Sequence, residues 1–135
     1  MAIKMSFTSK DGRVSPDAYW ALVDVNANFR RGVGKLVFAV WHDQALAAAK
    51  ADHINYVKVY VINEVDYNTW FAPDVLTPDG ENHIKAAYEY AAATKDTLKE
   101  GYTSELNGLV FRNSQGDIVD KSEATESFFE TGITV

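Results

Sequence analysis

Three histidines, His42, His53 and His83, are the side chains of this sequence best suited to bind a metal or move a proton, and their spacing limits what they can do. No two of them stand at the helical i,i+4 interval that places a pair of ligands on one face, and there is no cysteine to complete a zinc set. A serine nucleophile of the hydrolase type sits in a Gly-x-Ser-x-Gly elbow, which does not occur here. Gly32-Val33-Gly34 is half a dinucleotide fingerprint, but it lies between two segments that read as antiparallel strands, so it reads as turn geometry. Asp24, Glu64, Asp66 and Asp74 are acids of the kind that pair in glycoside hydrolysis, a chemistry that depends on a separation no sequence displays. These residue types predict no catalytic residue, no metal and no cofactor.

What the chain holds in surplus is aromatic: Trp 3, Tyr 7 and Phe 7. Each such ring buries on the order of 150–250 Å², so most of them belong to the core. Those left over are expected to form a sugar-stacking platform or an anchor at a protein interface. Trp20, Trp70 and Phe71 are the candidates, Trp20 first because it stands on the more polar side of its segment. Phe128, Phe129, Ile133 and Val135 add an apolar C-terminal set.

A length of 135 residues sets the frame for these side chains: one domain of 1–135, with a core over 1–100 and a hairpin with an apolar tail over 101–135. An apolar fraction of 47% against 24% charged residues is that of a folded globular protein. The net charge of −6, from 13 Lys and Arg against 19 Asp and Glu, repels phosphate backbones and anionic lipid, so nucleic acid is not an expected partner. The apolar run Leu36 to Trp41 is far shorter than the roughly 20 residues that cross a bilayer, and Met1 to Phe7 lacks the apolar region of a secretory signal. No membrane partner is expected.

The elements follow from periodicity. From Ala18 to Phe29 the residues alternate, with Tyr19, Ala21, Val23, Val25, Ala27 and Phe29 on one side and Asp24, Asn26 and Asn28 on the other, which predicts a strand. Arg30 to Gly34 supplies a turn, Lys35 to His42 a second strand, and Asn55 to Ile62 a third beyond an alanine-rich helical turn at Ala45 to Ala51. Strands two and three carry apolar residues on both faces, so both faces need a cover, one from the chain and the other from a partner. Asp66 is placed to cap a short helix from Tyr67 to Ala72, stopped by Pro73. A long helix is expected from Thr77-Pro78, with Ile84, Ala87, Tyr88, Ala91 and Leu98 on one stripe, Glu81 paired with Lys85, and Gly101 as its stop. Leu109 to Arg112 and Asp117 to Val119 form a small hairpin about Asn113-Ser114-Gln115-Gly116. The fold class is α+β: an antiparallel sheet, or a small β-sandwich, with one long helix packed against it. The apolar tail is to be tied to its own sheet or to another subunit.

Ser15-Pro16-Asp17-Ala18-Tyr19-Trp20, then Trp70-Phe71-Ala72-Pro73-Asp74-Val75-Leu76, then Ala86-Ala87-Tyr88-Glu89-Tyr90 carry a likeness in their order and spacing. Over roughly Met1 to Lys95 the chain resembles small proteins of tailed bacteriophages encoded among tail and baseplate genes. The resemblance implies a virion structural protein present in several copies, with other virion proteins as partners, a homo-oligomeric state and no active site. It stops before the C-terminal hairpin. A carbohydrate-binding module that reads the host surface through Trp20, Trp70 or Phe71 is the alternative, and a small enzyme would need convergent acids or a histidine in a pocket.

Overall fold

The computed structural model describes residues 2–28, 30–72 and 83–135. In chain order the elements are β1 (Ile3–Lys4), β2 (Phe7–Thr8), β3 (Val14–Ser15), β4 (Tyr19–Asn28), β5 (Val33–Trp41), α1 (Gln44–Ala48), β6 (Val57–Ile62), α2 (Glu64–Trp70), α3 (His83–Ala93), β7 (Thr97–Leu98), β8 (Thr103–Glu105), β9 (Val110–Arg112), β10 (Ile118–Val119), α4 (Lys121–Ala124), β11 (Thr125–Glu126) and β12 (Ile133–Thr134). Every strand pairing among them is antiparallel, and with the helices the fold is α+β. Contacts group the chain into two compact units, residues 1–90 with 131–135 and residues 91–130. Residues 131–135 group with the first unit.

The first unit is built on a five-stranded sheet in the order β12-β1-β4-β5-β6. β4 and β5 form the expected long hairpin, turned through Gly32 at φ 65°, where a side chain would be strained. Gly32 N–H donates to Asn28 O at 2.8 Å, and Arg31 N–H donates to Asn28 Oδ1 at 3.0 Å. The last residue of the predicted first strand, Phe29, lies outside the described residues.

A β-bulge decides which side chains of β4 face the core. The register slips between Leu22 and Asp24, leaving Val23 as the extra residue. Before it, Trp20 and Leu22 stand opposite Val40 and Phe38; after it, Val25 stands opposite Leu36. All of these share the inner face, so the simple alternation expected for β4 fails at Val23, and everything N-terminal to it changes sides. Trp20 is therefore a core residue, with 0% of its surface exposed. The bulge also disturbs the ladder, and Leu22 N–H donates instead to the Tyr88 hydroxyl at 2.9 Å.

Leu36, Phe38 and Val40 are wholly buried on this inner face, with Tyr60 and Ile62 beside them. Phe38 meets Tyr60 and Tyr88 edge-on at centroid distances of 5.8 and 5.3 Å, and Tyr60 meets Tyr90 at 5.9 Å. Rings in this geometry add to the gain from burial alone.

The helices depart from expectation in informative ways. The helical turn in the alanine-rich connection is present as α1, where Leu46 N–H donates to Asp43 Oδ1 at 2.9 Å. α2 is capped by Asn63, whose Oδ1 accepts from Asp66 N–H at 2.8 Å, so the helix starts before Asp66 and the expected cap is inside its first turn. Asp66 instead accepts from the Tyr90 hydroxyl at 2.9 Å. α3 ends at Ala93, and Leu98 stands in β7; the expected long helix is thus shorter at its C-terminal end. Thr97 and Leu98 find their backbone partners in β11, which satisfies in a ladder what a continued helix would satisfy internally. Gly101, at φ 84°, belongs to a turn closed by Tyr102 N–H on Lys99 O. Of the expected stripe, Ala87, Tyr88 and Ala91 are buried and Ile84 is exposed. Lys85 pairs with Glu89 at 3.7 Å. Pro73, the Thr77-Pro78 start and Glu81 lie outside the described residues.

In the second unit, β8, β9 and β10 form a meander, and β7 pairs with β11. The hairpin expected at Leu109 to Val119 is present as β9 and β10, its turn held by Asn113 Oδ1, which accepts from Gln115 and Asp117 N–H. Ser127, though polar, is buried, and its hydroxyl donates to Ala91 O at 2.9 Å. Phe129 is buried and meets the half-buried Phe128 edge-on at 5.0 Å. Among the described residues, no helix is long and apolar enough to cross a membrane.

Candidate functional site

The same register that buries the inner face defines the outer one. Opposite Lys35, Val37 and Ala39 on β5 stand Val61, Val59 and Val57 on β6, and opposite Val37 and Lys35 on β4 stand Asp24 and Asn26. Ala39 is wholly buried by its neighbours and Val37 half-buried, but Val57, Val59 and Val61 are exposed at 40%, 38% and 77%. The expectation that both faces are covered thus holds for the inner face, while on β6 the chain leaves a valine row open. At the opposite edge, Ile133 lies on the outer face beside Lys4 and is 69% exposed.

Of the residues singled out in the sequence, the structure separates two kinds. Trp20 and Phe71 are core residues, so neither is an exposed platform or anchor; Phe71 stacks on His83 and meets Tyr90. Trp70 is half-buried with its ring edge-on to Tyr90 at 6.0 Å. Phe129 is buried, Phe128 half-buried, and Ile133 and Val135 are exposed. The tail is nonetheless fixed to its own sheet: β12 pairs with β1, and Ala2 and Val135 exchange both backbone hydrogen bonds, at 3.0 and 2.8 Å.

A cleft of about 430 Å³ in the first unit brings His42 together with residues that no motif marks. Phe7, Ile54 and Tyr56 line it with Thr8, Asn55 and His42, and Lys10, Asp11 and Arg13 come from the turn between β2 and β3. The turn is shaped by Gly12 at φ 86° and by the Asp11 carboxylate, which accepts from the Ser9 hydroxyl and from Arg13 N–H. Those bonds, the serine's first, hold the Asp11 carboxyl below its ordinary value. Asp11-Gly12 between β-prone residues is a hairpin signal, and it was the available clue to this cleft. The rings form a graded stack: Trp20 fully buried, Phe7 half-buried, Tyr56 at the surface, with centroids 5.5 Å (Phe7 to Trp20), 5.2 Å (Phe7 to Tyr56) and 5.9 Å (Trp20 to Tyr56) apart.

Ser15 Oγ lies 2.5 Å from His42 Nδ1. The serine is buried and is not among the residues that line the cleft, and the contact joins β3 to the residue that follows β5. Asp24 lies on the outer face, Glu64 opens α2 and Asp66 lies against Tyr90, so these three of the acids considered for glycoside hydrolysis do not line the cleft; Asp74 is outside the described residues. Comparison of the chain with protein-family models, with curated proteins and with solved structures finds no match.

Proposed function

We propose that the chain is a non-enzymatic structural subunit of a tailed-phage virion, of the tail, baseplate or an associated part, joined to other copies of itself through the outer face of its main sheet. The observation that carries this reading is the row Val57, Val59 and Val61 on a strand at the sheet's edge. Such a row gains when a second apolar face removes it from water, at about 25 cal/mol per Å² of apolar surface buried. Two sheets packed face to face do so at about 10 Å spacing.

A two-fold pairing suits this face, because an isologous interface needs one patch to complement itself. Asp24 and Lys35 both stand on it, so a two-fold pairing can set Asp24 of one copy against Lys35 of the other. Face packing is favoured over continuation of the sheet at β6, because Lys58 projects from that strand to the inner side, its ammonium 5.1 Å from the Tyr60 ring centroid, and an added strand would confine that charge. The phage setting of this reading is taken from the resemblance read in the sequence motifs over roughly Met1 to Lys95. Quantitative proteomics of purified particles tests it: a fixed ratio of several copies to a known tail protein is expected, and absence from washed particles overturns it.

A further inference from the structure

The cleft between the β2–β3 turn and Tyr56 has the parts of a small-ligand site. Its volume, about 430 Å³, falls within the roughly 300–1,000 Å³ of such sites. One wall is aromatic, and the Tyr56 ring, the most exposed of the three, is backed by Phe7 and by the wholly buried Trp20. A ring so supported loses little freedom when another ring is laid against it. Thr8 and Asn55, which carry a hydroxyl and an amide, belong to the same lining.

Charge narrows the ligand class. The rim carries Lys10 and Arg13 against one acid, Asp11, whose carboxylate is already engaged by Ser9 and the Arg13 backbone. The rim is therefore a cationic spot on a molecule of net charge −6. A polyanion would be repelled by most of the surface, whereas a small ligand with one carboxylate meets only the spot. A sugar ring offers an apolar CH face for Tyr56 and hydroxyls for Thr8 and Asn55, and a uronic acid adds the carboxylate.

We propose that this cleft binds an acidic sugar, its ring against Tyr56 and its carboxylate at Lys10 and Arg13. The site is independent of the assembly reading, since Val57, Val59 and Val61 do not line it. Calorimetric titration of the full chain with galacturonate, and with neutral galactose for comparison, is the test. Saturable binding of galacturonate that weakens in high salt is expected, with galactose at least about tenfold weaker, the factor that a charge-assisted hydrogen bond supplies. Arg13→Gln and Tyr56→Leu, each checked for folding by circular dichroism, are expected to lose about tenfold in affinity, and Val61→Lys none. Absence of saturable binding, equal binding of galactose, or unchanged affinity in folded Arg13→Gln overturns the proposal.

Discussion

The two faces of the main sheet use the same kinds of residue for different ends. On the inner face Leu36, Phe38 and Val40 of β5 are wholly enclosed, with aromatic partners from β6 and α3. On the outer face, Val57, Val59 and Val61 of β6 are as apolar and stay open. Apolar content in a strand therefore does not reveal how it is covered. The inner face is closed because α2 and α3 bring Tyr67, Tyr88 and Tyr90 to the first unit's core, and no described element does the same over β6's outer side.

The bulge at Val23 leaves Trp20 on the inner face, and a charge placed there is the harshest way to break the comparison. Trp20→Glu buries a carboxylate against Phe7 and Tyr56, and we expect the cooperative thermal transition to be lost. Phe38→Ala leaves the register intact but opens a cavity among Tyr60 and Tyr88; a loss of about 3–5 kcal/mol in urea unfolding is expected. Asn63→Ala removes the cap of α2 and is expected to cost about 1 kcal/mol in the same assay.

Tyr88 gives the inner face a pH signature. Burial raises its hydroxyl above the ordinary 10.0, against the opposing effect of the Leu22 N–H bond. Between the two values the unfolded chain ionises and the folded one does not, so the contribution is complete below the unfolded value and lost as pH rises through the folded one. Tyr88→Phe is expected to flatten this alkaline decline in a series of melts, while lowering stability near neutral pH because Leu22 N–H loses its acceptor. The smallest effect concerns Asp11. Its lowered carboxyl supports the β2–β3 turn above the ordinary value of 3.8 and ceases to as pH falls through the folded one, which the Arg13 amide resonance should report.

The three long strands, the β4–β5 hairpin and the β9–β10 hairpin were legible because alternation and turn residues are local signals. The placing of Trp20 was not, because a bulge of one residue leaves no mark in an alternating pattern yet inverts every side chain before it. The end of α3 was misplaced for a related reason. Thr97 and Leu98 fit a helical stripe, and only their pairing with Thr125 and Glu126, distant in sequence, makes them a strand. The cleft brings Phe7 and Arg13 to Tyr56 across a similar distance, so Asp11-Gly12 betrayed the turn but not its neighbour.

The central claim is that the open valine row joins copies of the chain, and sedimentation velocity across a concentration series, wild type beside Val61→Lys, tests it most directly. A concentration-dependent shift to dimer or larger species is predicted for the wild type. The variant should stay monomeric with thermal stability within about 0.5 kcal/mol of wild type, as for a surface substitution. A wild type that sediments as a monomer throughout, or a folded variant that associates equally well, contradicts the account.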